Sequence, residues 1–446
     1  MTTEANWPSE LSGSGHSENS HDLTPLQLTD ERVLAPSVLL LFVMLYAVQG
    51  VVVSYFLTFN GRYMRNEIFT HGTGISPLTV TQVGWSQSIA TLPLAVKFIF
   101  GVFADKVSLF GLGHRKPYIL LGLLLQGLGL FGLSLINPAV NLGLFTLVAT
   151  AAVTGLCLYD VACDAFAVQV TPRRDRNRVQ GILQASRFVS TAICGLAFGY
   201  LWQITATPGM GVLWVCGILP LPAILYSMQI AEPVHIVNAN GNGGFKWGAL
   251  EIFTKRTLWA LLFFSVIYAV VSFGVESVLV FWFAVPALAF SEKALGVQSL
   301  GRNSGRAVGA VIQARLSNRV GRRELVALGL LGLSATTFLF GLVLGPVSAM
   351  MVGIGFGVFV GWLDALACSM AMDEADNAWP ATSYALIMAF QNLGTLGSGL
   401  MASMADGLGF RSAFLLASLV NLVAIAGLAW VSRGKTGHPN EKVWSV

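Results

Sequence analysis

Twelve apolar stretches of about twenty residues or more run through this chain, at about 34–58, 79–104, 117–136, 142–170, 179–204, 210–230, 257–288, 297–317, 324–345, 347–371, 381–404 and 411–432. A helix needs about 20 such residues to cross the hydrocarbon core of a bilayer, where each backbone N–H and C=O has to be satisfied without water. Only helices and closed barrels meet that demand, and these stretches are too long and continuous for barrel strands of about 10 alternating residues. Charged residues make up 11% of the 446 and mean hydropathy is +0.69, against about 25% charge in a soluble domain. The expected fold is an all-α integral membrane protein, multi-pass, with twelve transmembrane helices. Its 48 glycines suit helices that approach closely.

The connecting segments alternate in charge. With the N-terminus taken as cytoplasmic, the inner segments collect clusters such as Arg173, Arg174, Arg176 and Arg178, whereas the outer ones hold only Arg62, Arg65, Lys293 and Arg411. The bias of Lys and Arg toward the inner side then predicts cytoplasmic N- and C-termini. The inner 371–380 loop is an exception, with Asp373, Glu374 and Asp376 and no base. Residues 1–33 are polar and acidic, lack the basic and apolar run of a signal peptide and are too acidic for a transit peptide. They read as a disordered cytoplasmic tail. The stretch 231–256, which contains Asn238-Ala239-Asn240-Gly241-Asn242-Gly243-Gly244, reads as a flexible linker. It divides a six-helix bundle at 34–230 from a second at 257–432, and 433–446 forms a cytoplasmic tail.

The net charge of +4 reflects the inner loops and does not point to nucleic acid. All five cysteines lie inside apolar stretches and all six histidines outside them. That pattern argues against disulfides or a metal cluster, and it makes carboxylates the candidate proton carriers within the membrane.

The two halves repeat one another. Gly101-Val102-Phe103-Ala104-Asp105-Lys106, then Gly113-His114-Arg115-Lys116-Pro117, ends the second stretch. Ala314-Arg315-Leu316-Ser317-Asn318-Arg319, then Val320-Gly321-Arg322-Arg323, ends the eighth. Each copy has a small residue four before an acid or amide, then a base, a glycine and a basic pair. This resembles the loop signature of the major facilitator superfamily. The resemblance implies a cytoplasmic latch formed by Gly101, Asp105, Arg115 and Lys116 in one half and by Asn318, Arg319, Gly321, Arg322 and Arg323 in the other.

Further elements narrow the likeness. Tyr46-Ala47-Val48-Gln49-Gly50, Pro93-Leu94-Ala95-Val96-Lys97, Arg115-Lys116-Pro117-Tyr118 and Asp160-Val161-Ala162-Cys163-Asp164-Ala165 together resemble the branch containing folate–biopterin transporters, muropeptide permeases and acetyl-CoA transporters. The Val-Gln-Gly and Pro-x-x-x-Lys elements lean toward the folate–biopterin members. Asn318 departs from the pattern, standing where the first copy has Asp105.

A charge at membrane depth costs roughly 2.5–3.5 kcal/mol on insertion scales, so it marks a partner or a polar path. Asp164 and Asp364 are such charges, one in each half. Asp160 lies four residues before Asp164 and hence on the same helical face. The pair could exchange protons or form a fixed ion pair with Lys97 or Arg187. Lys97, eight residues before Asp105, either snorkels to the inner headgroups or places a fixed positive charge in a cavity. Arg187, near the middle of the fifth stretch, keeps its proton and must meet an acid or a substrate. Glu276 can pair with Arg306, while Arg302, on the same face, is expected to reach the outer surface. Asp364 has no evident base nearby. Gln49, Gln391 and Asn392 add neutral hydrogen-bonding groups that either line a site or hold helices together. Tyr46 and Trp85 are candidate stacking partners for a flat ring, and Trp202, Trp259, Trp379 and Trp430 fall near the ends of stretches, as interfacial residues do.

These features favour a secondary transporter working by alternating access. Without a glycine-rich lysine loop that cradles phosphates, it would draw on a gradient. Lys97, Arg187, Glu276, Arg306, Gln49, Gln391 and Asn392 would bind substrate or gate it, and Asp160, Asp164 and Asp364 would couple protons. The embedded bases suggest a small anionic solute, with folate- or pterin-like, muropeptide-like and acyl-CoA-like molecules all admissible. The expected setting is the cell membrane, the expected state a monomer, and no cofactor or metal is expected. The alternative is a protein of the same fold acting as a pigment-complex assembly factor or sensor. An enzyme is not expected, since no nucleophile–base arrangement is present.

Overall fold

The computed structural model describes residues 34–106, 115–171, 176–230, 256–317, 319–374 and 380–433, and among them the chain forms helices and no strands. The expected tail at 1–33, nearly all of the linker, residues 434–446 and Asn318 lie outside the described residues, as does the side chain of Asp105. In chain order, α1 spans Pro36–Met64, α2 Val80–Gly101, α3 Lys116–Leu133, α4 Leu142–Val170, α5 Arg176–Leu201 and α6 Met210–Gln229. The second half follows with α7 at Arg256–Trp282, α8 at Glu292–Leu316, α9 at Arg322–Leu342 and α10 at Pro346–Glu374. In α11, Pro380–Asn392 runs through a 3₁₀ turn at Leu393–Leu396 into Gly397–Leu408, and α12 is Phe410–Arg433.

Among the described residues nine of these helices, α1–α7, α9 and α10, are long and apolar enough to cross a membrane. The remaining three expected spans are also helical. Glu292, Lys293, Arg302, Arg306 and Arg315 load α8 with charge. A 3₁₀ turn interrupts α11, and α12 is apolar over its described side chains, Phe410–Ile425.

Local chemistry sets where several helices begin. Thr79 and Gln82 form a reciprocal capping box at the start of α2, which satisfies amide groups left open at a helix N-terminus. Asn141 and Ser291 accept from the third amide of α4 and α8 in the same way. Proline at the head of α1 and α3 loses no helical hydrogen bond there. Toward its C-terminal end α1 loosens into a π-helical stretch, Tyr55–Phe59.

Small residues set the distances between helices. Gly305 and Gly309 of α8 face the carbonyls of Ile354 and Val358 on α10, while Gly357 and Gly361 of α10 face those of Arg302 and Arg306. Each helix thus offers two glycines four apart to the other's backbone, the spacing that lets membrane helices touch main chain to main chain. The first and second halves meet along two seams, α5 on α8 and α2 on α11. At one end the seams are bolted by Arg62–Glu292 at 3.0 Å and by the Thr81 amide donating to Asp406 Oδ2 at 2.6 Å. Trp85 Nε1 donates to Ser403 Oγ at 3.1 Å. Gly195 and Gly199 of α5 lie against Ser299 and Gly296 of α8.

Replacing Gly309 with Leu should destabilise the protein by about 1–3 kcal/mol, the usual cost of overpacking, because a Cβ there strikes the Val358 carbonyl. Gly345→Ala, at a position with open space around it, should leave the midpoint unchanged. Thermal unfolding of both variants in detergent checks the contrast.

Candidate functional site

Between the halves lies a cavity of about 330 Å³. From the first half Tyr46, Gln49, Lys97, Asp160, Asp164 and Arg187 line it. The second half contributes Arg306, Asp364, Gln391 and Asn392. Most of the charged residues expected from sequence are therefore brought to one place, from five different helices.

In the first half the polar groups form two linked sets. Asp160 binds Lys97 Nζ through Oδ2 at 3.0 Å and accepts from Gln49 Nε2 through Oδ1 at 2.7 Å. Lys97 therefore does not snorkel; its ammonium is committed to a carboxylate on α4. One turn along that helix, Asp164 accepts from the Tyr46 hydroxyl at 2.5 Å. No Lys or Arg lies within ion-pair distance of Asp164 among the described residues. The second half repeats the tyrosine motif. Tyr268 donates to Asp364 Oδ1 at 3.1 Å and in turn accepts from Gln391 Nε2 at 2.5 Å. Tyr268 was not singled out from sequence, although the parallel of Tyr46 with Asp164 and Tyr268 with Asp364 was the available signal.

Beside this motif sits a buried charge cluster. Glu276 Oε1 lies 2.7 Å from Arg306 Nη2 and 3.5 Å from Arg302 Nε. The expected pairing of Glu276 with Arg306 is present. Arg302 corrects an expectation: only 2% of it is exposed, and instead of reaching the outer surface its Nη2 donates across the seam to Thr58 Oγ1 at 3.3 Å. Thr58, in the π-helical stretch of α1, also shares a hydrogen bond with Ser299 Oγ at 3.2 Å. Asp364 also departs from expectation, because Arg306 and Arg187 are near enough for their charges to act on it.

Arg187 occupies the middle ground. Its charge acts on Asp164 and on Asp364, yet it forms no ion pair with either. Its guanidinium carbon sits 5.4 Å from the centre of the Phe188 ring, a cation–π distance. Such a group satisfies none of its five donors with a carboxylate and can offer a fork to an incoming anion.

The other candidates take structural places. Asn392 Nδ2 donates to the Leu94 carbonyl at 3.0 Å, tying α11 to α2. Trp85 reaches Ser403 rather than the cavity, and Trp202 is buried against Phe59 instead of facing an interface. Trp259 is half exposed, while the side chains of Trp379 and Trp430 lie outside the described residues. Of the expected latch, Lys116 Nζ donates to the Met228 carbonyl at 2.6 Å, holding α3 to α6. Arg115 is buried, Arg322 is half-buried, Arg319 and Arg323 are exposed, and Gly321 abuts the Glu324 carboxylate. Gly101 faces both Val161 and the cavity.

Breaking a buried ion pair by removing one partner costs about 3–5 kcal/mol, since the remaining charge is left uncompensated. Glu276→Gln should therefore destabilise the protein strongly, and Glu276→Gln combined with Arg306→Gln, which removes both members of the 2.7 Å pair, should cost less than the sum of the two single changes. A double-mutant cycle on thermal unfolding measures this; simple additivity would show that the cluster does not act as a unit.

Known proteins place this architecture. Two stretches of the chain, residues 34–394 and 279–445, match the family profile described as Major Facilitator Superfamily. Two curated Arabidopsis thaliana proteins are similar over part of it. Probable folate-biopterin transporter 7 is 28% identical over 149 residues, 33% of this chain and 34% of that protein. Probable folate-biopterin transporter 8, chloroplastic, is 29% identical over 157 residues, 35% of this chain and 28% of that one. The similarity thus spans about a third of the length of these relatives. Among solved structures, a D-xylose–proton symporter superposes with a TM-score of 0.71 at 13% identity, covering 88% of this chain and 96% of its own. The nucleoside transporter NupG gives 0.70 at 12% identity, covering 90% and 100%. A POT family transporter in complex with 5-aminolevulinic acid gives 0.71 at 13% identity, covering 91% and 99%. At such identities these likenesses establish the fold. The chain belongs to the Major Facilitator Superfamily, and about a third of it resembles folate–biopterin transporters.

Proposed function

We propose that this protein moves a small organic anion across the cell membrane by alternating access, driven by protons. The observation that carries the reading is Arg187: a guanidinium that lines the central cavity without a carboxylate partner among the described residues. An arginine kept ionised in a membrane interior without a fixed partner is expensive to maintain, and an anionic substrate would repay that expense each time it binds. In this reading α8, α11 and α12 also cross the bilayer, giving two six-helix bundles with both termini cytoplasmic. The bolts of Arg62–Glu292 and Thr81–Asp406 then close the outer side, and the cavity extends toward Gly101, Gln184 and Cys368 on the inner side. Lys97 and Asp160 act as a paired, structural charge, while Asp164 and Asp364 are the groups free to exchange a proton. The folate–biopterin resemblance favours pteridine-like anions, with muropeptides and acyl-CoA esters next. The transporter names of the relatives give no support to an assembly factor or sensor without transport.

Uptake of labelled folate, a muropeptide and an acyl-CoA ester into proteoliposomes with an imposed pH gradient tests this. At least one should accumulate, and accumulation of none would reject the reading. Arg187→Ala should lower affinity roughly tenfold or more, as expected for a charge-assisted contact worth about 1.5–3 kcal/mol. Because Arg187 has no ion-pair partner to orphan among the described residues, that variant should unfold at the wild-type temperature.

A further inference from the structure

The charged groups around the cavity fall into sets whose sum constrains the cargo. Lys97 and Asp160 cancel at 3.0 Å. Glu276, with Arg302 and Arg306, leaves one positive charge on the second half. Arg187 leaves one positive charge on the first. The two remaining carboxylates, Asp164 and Asp364, are each held by a tyrosine hydroxyl rather than by a cation. With both ionised, the site is neutral. With both protonated, it carries two positive charges, one from each half.

From this balance we propose that the substrate is a dianion carried with two protons, one on Asp164 and one on Asp364, so that the transported complex is electrically neutral. The inference rests on the proton-driven transport reading and deepens it. The groups around each aspartate set the exchange. Asp164 faces Tyr46 from α1, Lys97 from α2, Arg187 from α5, and Asp160 and Cys163 on its own helix. Asp364 faces Tyr268 and Glu276 from α7, Arg306 from α8, Cys368 on its own helix and Arg187 from the other half. Of these groups, Arg187 acts on both. An anionic group docking on Arg187 therefore meets repulsion from two carboxylates, one in each half, and protonation of both removes it. A second anionic group then finds the surplus positive charge of the Glu276 cluster at Arg306, which lines the cavity from the second half. One proton alone would leave a dianion uncompensated in low dielectric, where unpaired charge is most costly.

The test is the steady-state accumulation of labelled folate, whose glutamate moiety carries two carboxylates, in proteoliposomes at several pH gradients. Membrane potential is set independently with potassium and valinomycin. Two protons predict roughly hundredfold accumulation per pH unit, a factor of ten for each proton, with no dependence on potential. Asp364→Asn should reduce this to roughly tenfold and make accumulation sensitive to potential, because one negative charge then crosses uncompensated. Asp164→Asn should do the same. Tenfold accumulation by the wild type, or sensitivity of the wild type to potential, overturns the two-proton inference while leaving proton-driven transport intact. Should folate, the muropeptide and the acyl-CoA ester all fail to accumulate, the transport reading fails and takes this inference with it.

Discussion

Glu276 and the two arginines of α8 form the contact on which the second half depends. Two guanidiniums inside a membrane helix would be ruinous alone, at roughly 2.5–3.5 kcal/mol each on insertion scales. One carboxylate from α7, at 2.7 Å and 3.5 Å from them, makes the helix tolerable. That requirement fixes which face of α8 points inward and how α7 stands beside it. The glycines of α8 and α10 follow from it, since they bring backbone against backbone just where Arg302 and Arg306 leave the helix. Arg302 then reaches Thr58 across the seam. The second half's charge balance and the closure between halves thereby share a residue.

The two halves keep one polar motif in common and otherwise divide the work. Tyrosine on the first helix holding aspartate on the fourth occurs in both. Three residues after the tyrosines, Gln49 is matched by Val271, and four before the aspartates, Asp160 is matched by Val360. Four before the repeated small residue, Lys97 is matched by Ala310. The whole first-half triad thus becomes apolar in the second half, with no charge left stranded. The reverse holds for the other cluster. In the same registers Glu276 answers to Ser54, Arg302 to Ile89 and Arg306 to Pro93. Each buried set is present in one half and wholly absent from the other, as expected when an orphaned charge costs more than a missing pair.

Length and hydropathy made the helical fold legible, because the demand for backbone satisfaction in lipid leaves few options. Pairings were legible only where depth could be judged. Glu276 with Arg306 could be foreseen from depth, whereas for Lys97 the sequence left open whether it snorkels or pairs, and with which aspartate. Arg302 was misplaced because α8 begins at Glu292, several residues before its apolar stretch at about 297, so the side chain lies deeper than counted. Arg187 as a neighbour of Asp364 could not be read, since it comes from the other half and depends on how the halves dock. Tyr268 was hidden by its type: a tyrosine in an apolar run reads as packing until the repeat pairs it with Tyr46.

The order of charges along the chain has a consequence for how such a protein is made. During synthesis α7 emerges before α8, so Glu276 is already available when Arg302 and Arg306 arrive. A helix as polar as α8 gains little by leaving the insertion machinery for lipid on its own. It has to wait for, or leave together with, the acidic helix ahead of it and the glycine-bearing α10 behind it. On the reading that α8 crosses the bilayer, the second half is expected to leave the insertion machinery as a group rather than by independent insertions, and its vulnerable moment falls before α10 has been completed.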